Sequence, residues 1–100
     1  VYQPRAALDV ESVVIYVGEV LGAPETAKEL YGKIKEATEL LAEVPGLGWP
    51  LSDDRLERVG YRTYLVEQYK ILYSYNDDEL LIWRVVHTLQ DIDDYALIEW

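Results

Sequence analysis

The apolar residues of this chain change their period once, and that change limits what the chain can fold into. From residue 5 to 21, Ala6, Val10, Val13, Val14, Val17 and Leu21 recur at three- and four-residue steps, the spacing of one helix face. Ala27, Leu30, Tyr31, Ile34, Ala37, Leu41 and Val44 repeat the pattern. Between the two stripes, Gly22 suits a helix C-terminus, and Pro24 with Glu25 suits the first turn of the next helix. So short a connection predicts an antiparallel helical hairpin. Pro45 ends the second helix, and the stretch from Pro45 through Gly46, Leu47, Gly48, Trp49 and Pro50 to Asp54 reads as a loop.

After Gly60 the period falls to two. Tyr61 to Val66 is rich in aromatic and branched residues. Tyr69, Ile71, Tyr73 and Tyr75 alternate on one face, and Glu79 to His87 is apolar on both faces, as a covered strand is. Glu67-Gln68 fits a two-residue hairpin turn, which pairs Val66 with Tyr69, Tyr64 with Ile71 and Arg62 with Tyr73. Asn76-Asp77-Asp78 supplies the next turn. If Tyr75 then pairs with Leu80, an unbroken register sets Ile71 against Arg84 and puts Arg62 and Arg84 on one sheet face. A one-residue change sets the two arginines on opposite faces. Both registers stay open. The acidic tail from Thr88 to Trp100 fits either a short helix or an extended arm. The expected architecture is α+β, a two-helix hairpin packed on a small antiparallel β-sheet, as a single domain over residues 1–100.

Composition excludes several kinds of chemistry. With no cysteine there is no disulfide frame, no thiolate metal site and no cysteine nucleophile. No apolar run approaches a membrane span, so a soluble, cytoplasmic chain is expected. The net charge is −10, with four basic and eight acidic groups in residues 1–50 and five and eleven in residues 51–100. That field repels phosphate chains and attracts basic partners; the plainer reading is that it confers solubility. The lone histidine needs nearby carboxylates to hold a metal. The nearest run, Asp91, Asp93 and Asp94, reads as a solvated tail, so neither metal nor cofactor is expected.

Four segments in order resemble the RelE/ParE toxin superfamily, most closely its ParE-like members. Pro4-Arg5-Ala6-Ala7-Leu8-Asp9-Val10-Glu11-Ser12-Val13-Val14-Ile15-Tyr16-Val17 fits the family's opening helix pattern throughout. The loop with Pro45 and Gly48 follows the long helix. Arg62 to Tyr73 is similar to the family's strand hairpin, with Tyr64 where leucine is usual. Arg84-Val85-Val86-His87 is similar to the ParE-like closing strand, although Thr88-Leu89-Gln90 replaces a glycine and two arginines. Val1-Tyr2-Gln3 offers barely a strand where the family has a longer one.

The resemblance implies a toxin of a bacterial type II toxin–antitoxin system, of the plasmid-stabilising kind, bound by a cognate antitoxin segment that folds on the toxin. Assembly as a homodimer or as a heterotetramer with the antitoxin stays open. ParE-like members act on a protein, DNA gyrase; RelE-like members cleave messenger RNA on the ribosome. A relative that keeps only antitoxin binding is the third alternative. Cleavage needs proton transfer and phosphate stabilisation, for which Arg62, Arg84 and His87 are the candidate catalytic residues, with Lys70 or Tyr95 in support. The structural alternative for each arginine is a pair with a carboxylate, Asp9 or Asp91, its stem covering apolar surface; for His87 it is packing at a strand end. Trp49, Tyr73, Asp91 and Tyr95 are the candidate partner contacts. Trp49, in a loop, reads either as a lid on the core or as an anchor in a partner groove. The acidic balance and single histidine favour the protein target.

Overall fold

The computed structural model describes residues 2–50 and 60–88. Helix α1, Pro4–Ile15, and helix α2, Pro24–Glu43, form the hairpin, and each begins on a proline in its first turn. The proline has no N–H to leave unbonded there, and its fixed φ suits the helix. The first helical stripe runs on past α1 in a wider π turn, Tyr16–Val20, in which Leu21 N–H reaches back to Tyr16 O at 3.0 Å. The regular helix expected to residue 21 therefore stops at Ile15. The wide turn keeps Val17 in the core, and Gly18 lies close enough to α2 that a Cβ there would meet Ala27 Cβ at 3.5 Å. Gly22, at φ +67°, ends the segment in the left-handed conformation that glycine adopts freely.

The sheet has four antiparallel strands in chain order: β1 Trp49–Pro50, β2 Arg62–Val66, β3 Tyr69–Tyr75 and β4 Leu80–His87. The short β1 is a correction to the loop expected there. Pro50 cannot donate to a ladder, and an edge strand is where that is tolerated. The first hairpin has the expected register, Val66 with Tyr69 and Arg62 with Tyr73. Its turn residue Glu67 takes φ +55°. In the second turn, Asn76 Oδ1 accepts from the N–H groups of Asp78 and Glu79 at 2.8 and 3.0 Å.

Between β3 and β4 the register breaks. Tyr75 pairs with Leu80 and Tyr73 with Ile82, but Leu72 pairs with Arg84 and Ile71 with Val85. Trp83 is the extra residue of a β-bulge; its indole N–H donates to Ser74 Oγ at 2.8 Å and its ring meets the edge of Tyr61. The bulge lets Ile82 and Val85, three apart, both join the core under the helices. The unbroken register that paired Ile71 with Arg84 is therefore wrong. Arg62 pairs with Tyr73 and Arg84 with Leu72, on opposite faces.

The core lies between the hairpin and one sheet face. Ala6, Ile34, Leu41, Ile71, Tyr73 and Ile82 are essentially inaccessible, and each large aliphatic side chain so buried contributes about 1.5–3 kcal/mol. Tyr31 and Val44, which fit the α2 stripe by spacing, are exposed. The outer edge of β4 is covered by the chain's own beginning. Tyr2 bridges Ile82 in parallel, Gln3 N–H donates to Ile82 O at 2.9 Å, and α1 packs along the strand.

From α1, Asp9 completes that cover. Its Oδ2 accepts from Arg84 Nε at 2.7 Å and from Val85 N–H at 3.0 Å, and its Oδ1 accepts from Arg84 Nη2 at 3.1 Å. Both side chains are largely removed from water. Breaking such a pair on one side strands the other charge, which costs about 3–5 kcal/mol. Asp9→Ala is expected to lose that much stability in denaturant melts, while Asp9→Asn, which keeps an acceptor for Val85, loses less.

Candidate functional site

The three candidate catalytic residues occupy two places. Arg62 opens β2 beside the α2–β1 connection. Its Nη2 donates to Gly46 O at 3.0 Å and also to Gly48 O, while its buried Nε has no acceptor among the described residues. Tyr73, across the ladder, completes a latch on the same loop. Its hydroxyl donates to Pro45 O at 2.7 Å and accepts from Gly48 N–H at 3.0 Å. Gly48 has no room for a side chain, since a Cβ would lie 2.4 Å from Thr63 O and 2.6 Å from Tyr73 Oη. Tyr73, a candidate partner contact by sequence, is fully buried. Trp49, which follows the latch, is 63 % exposed; it is no lid on the core.

Arg84 and His87 come together elsewhere. They line a cleft of about 330 Å³ with Asp9, Ser12, Tyr16 and Tyr69. His87 is half-buried, with its ring edge-on to Tyr69 at a centroid distance of 5.3 Å. A neighbouring cleft of about 420 Å³ reaches from His87 to the β2–β3 turn and α2. There Lys33 Nζ meets Glu67 Oε1 at 2.6 Å, and the carboxylate holds the ammonium above its ordinary pKa. At the far side of the sheet, partial burial pushes the Tyr61 phenol up. Lys70, the supporting candidate, sits on β3 opposite Leu65 and Val86. Asp91 and Tyr95 lie outside the described residues.

An apolar surface on the helical hairpin was not among the sites expected from the sequence. Two adjoining hollows, the larger of about 560 Å³, share Val14, Ile15 and Tyr31 and form a trough along the hairpin's outer side, with Tyr2 and Ala7 at one end and Gly18 at the other. Ile15 and Tyr31 stand beside the buried stripes rather than within them. The signal was present as apolar residues in excess of one helix face each.

Over residues 1–92 the sequence matches the family described as ParE toxin of type II toxin-antitoxin system, parDE. The fold is similar to that of a solved structure described as the chromosomal ParDE TA system from P. aeruginosa, with 23% sequence identity and a TM-score of 0.70 over 86% of this chain and 90% of that one. No curated protein matches the sequence.

The latch has a measurable strength. Tyr73→Phe removes the hydroxyl and leaves Gly48 N–H and Pro45 C=O unpaired, at an expected cost of about 1–3 kcal/mol. Gly48→Ala is expected to cost at least as much, because the obstacles it meets include backbone. Chemical denaturation of both variants checks this, and wild-type stability in either would contradict the latch.

Proposed function

This chain belongs to the ParE toxin family of type II toxin–antitoxin systems, and on that premise we propose that it arrests growth by binding a protein target, with DNA gyrase the foremost candidate. The observation that carries this reading is the occupation of both candidate arginines by acceptors within the fold. Arg62 spans two loop carbonyls and Arg84 is held by Asp9. A guanidinium bonded on its donor edge to a carboxylate has little left to offer a phosphate. The net charge of −10 adds a general repulsion of RNA.

One observation favours the second reading, ribosome-dependent cleavage of messenger RNA. Arg84, His87, Tyr16 and Tyr69 line one cleft, which brings a cation and proton-moving groups together. Asp9 lines the same cleft, however, and its charge opposes an incoming phosphate.

The antitoxin is the second proposed partner. The trough between α1 and α2 is lined almost wholly by apolar atoms and lies beside helices that an amphipathic segment can follow. Glu11, Glu19, Lys28 and Lys35 border it, so it suits a segment carrying both signs of charge at its margins. A cytoplasmic site of action fits this reading, and among the described residues no helix is long and apolar enough to cross a membrane.

Pulse-labelling of DNA and protein synthesis within minutes of induction in a bacterial host tests the reading. DNA synthesis is expected to fall first while translation continues. Translation falling first would support RNA cleavage instead, and no effect on either would leave a relative that keeps only antitoxin binding.

A further inference from the structure

We propose that the trough on the helical hairpin is a self-association surface: a second copy of this chain docks on it face to face, with α1 of each copy lying over α2 of the other. The inference is independent of the toxin reading. Its starting point is the centre of the trough, which is apolar. Ile15 on α1 and Tyr31 on α2 line both hollows and are 45 % and 51 % exposed. Large apolar side chains gathered in one exposed groove mark a contact surface.

The margins carry charge in an ordered way. Glu11 and Lys35 border the hollow at the Tyr2 end, and Glu19 and Lys28 border the hollow at the Pro24 end. The acids thus stand on the wall made by α1 and its π turn, and the bases on the α2 wall. Glu11, Ile15 and Glu19 are spaced at four residues, and Lys28, Tyr31 and Lys35 at three and four, so each wall presents a charge, an apolar group and a second charge along about two turns. None of these four charges has an ion-pair partner among the described residues.

That pattern selects an occupant and an orientation. Two-fold symmetry offers two ways of laying this hairpin face on a copy of itself. With the axis across the helices, α1 lies over α1, Glu11 meets Glu19 and Lys28 meets Lys35, all like charges. With the axis along the helices, α1 lies over α2 of the other copy. Because the hairpin is antiparallel, Glu11 then meets Lys35, Glu19 meets Lys28 and Ile15 meets Tyr31, and each contact occurs twice. Every charge on the margins faces its opposite while the apolar centre closes. The net charge of −10 opposes the approach of two copies in general, but the margins of the trough hold two acids and two bases and are locally neutral. A face two short helices wide is smaller than a standard interface. A weak, concentration-dependent dimer is therefore expected, and an antitoxin segment in the same trough would displace the second copy.

The test uses the full-length chain made by cell-free synthesis, with sedimentation over a wide range of concentration and melting to check the fold. Wild type is compared with Glu11→Lys/Glu19→Lys and with Lys28→Glu/Lys35→Glu, all four positions being exposed. Wild type is expected to pass from monomer to dimer as concentration rises. Each charge-reversed variant alone is expected to dimerise roughly tenfold more weakly or worse. Mixed, the two are expected to pair with each other, since one then has only basic margins and the other only acidic ones. Orientation is read separately. The chain has no cysteine, so Ile15→Cys mixed with Tyr31→Cys is expected to cross-link between the two variants under mild oxidation faster than either links to itself. A wild type that stays monomeric overturns the proposal and leaves the trough to the antitoxin. Unchanged dimerisation of both folded charge-reversed variants, or Ile15→Cys linking fastest to itself, also overturns it. None of these readouts is growth arrest, so failure of the toxin reading is a separate result.

Discussion

The carboxylate of Asp9 is the point on which this fold depends. Through three hydrogen bonds it neutralises a buried guanidinium and satisfies a backbone N–H on the outer strand of the sheet. Exposed strand edges invite pairing with other chains. Here the edge of β4 is closed by Tyr2, Gln3 and Asp9 in turn, so the first helix is tied to the strand that comes last among the described elements. The bulge at Trp83 belongs to the same arrangement. Without the extra residue, Arg84 would be paired with Ile71 and Val85 would leave the core.

A second clamp of a different kind works at the opposite edge. Arg62 and Tyr73 hold the α2–β1 connection by its carbonyls and by one N–H, and Gly48 is needed because nothing larger fits. The two arginines that look most like phosphate ligands in the sequence are thus the two that fasten the edges of the sheet. The described residues also present an apolar trough on the hairpin, a cleft beside His87 and an exposed tryptophan at the short strand. The net charge of −10 repels phosphate chains and attracts basic partners.

Much of this was legible from residue order alone. The helical stripes, the proline starts and the Glu67-Gln68 turn fix the hairpin and the first strand pair through short-range rules. The second strand pair was not legible, because a bulge changes the register without changing the turn, and no residue type announces it. The short strand at Trp49 was hidden by its proline and its length. Helix spacing placed Tyr31 and Val44 in the core, yet a stripe of that width exceeds what the sheet can cover. Among site residues, Asp9 was recognisable as a partner for an arginine, but which arginine it takes depends on the bulge. Tyr73 looked like a contact residue because aromatic character is visible in a sequence and burial is not.

The most direct measurement of the central claim, that Arg84 serves the fold and not the chemistry, is growth arrest by the double variant Asp9→Asn/Arg84→Met. It removes both charges together, keeps an acceptor for Val85 N–H, and replaces the guanidinium with an apolar side chain of similar reach. Replacing both members of a buried ion pair by neutral groups is often close to neutral for stability. A folded protein that still arrests growth is expected. A folded double variant that no longer does so would contradict it, and would return Arg84 to the list of groups that act on the target.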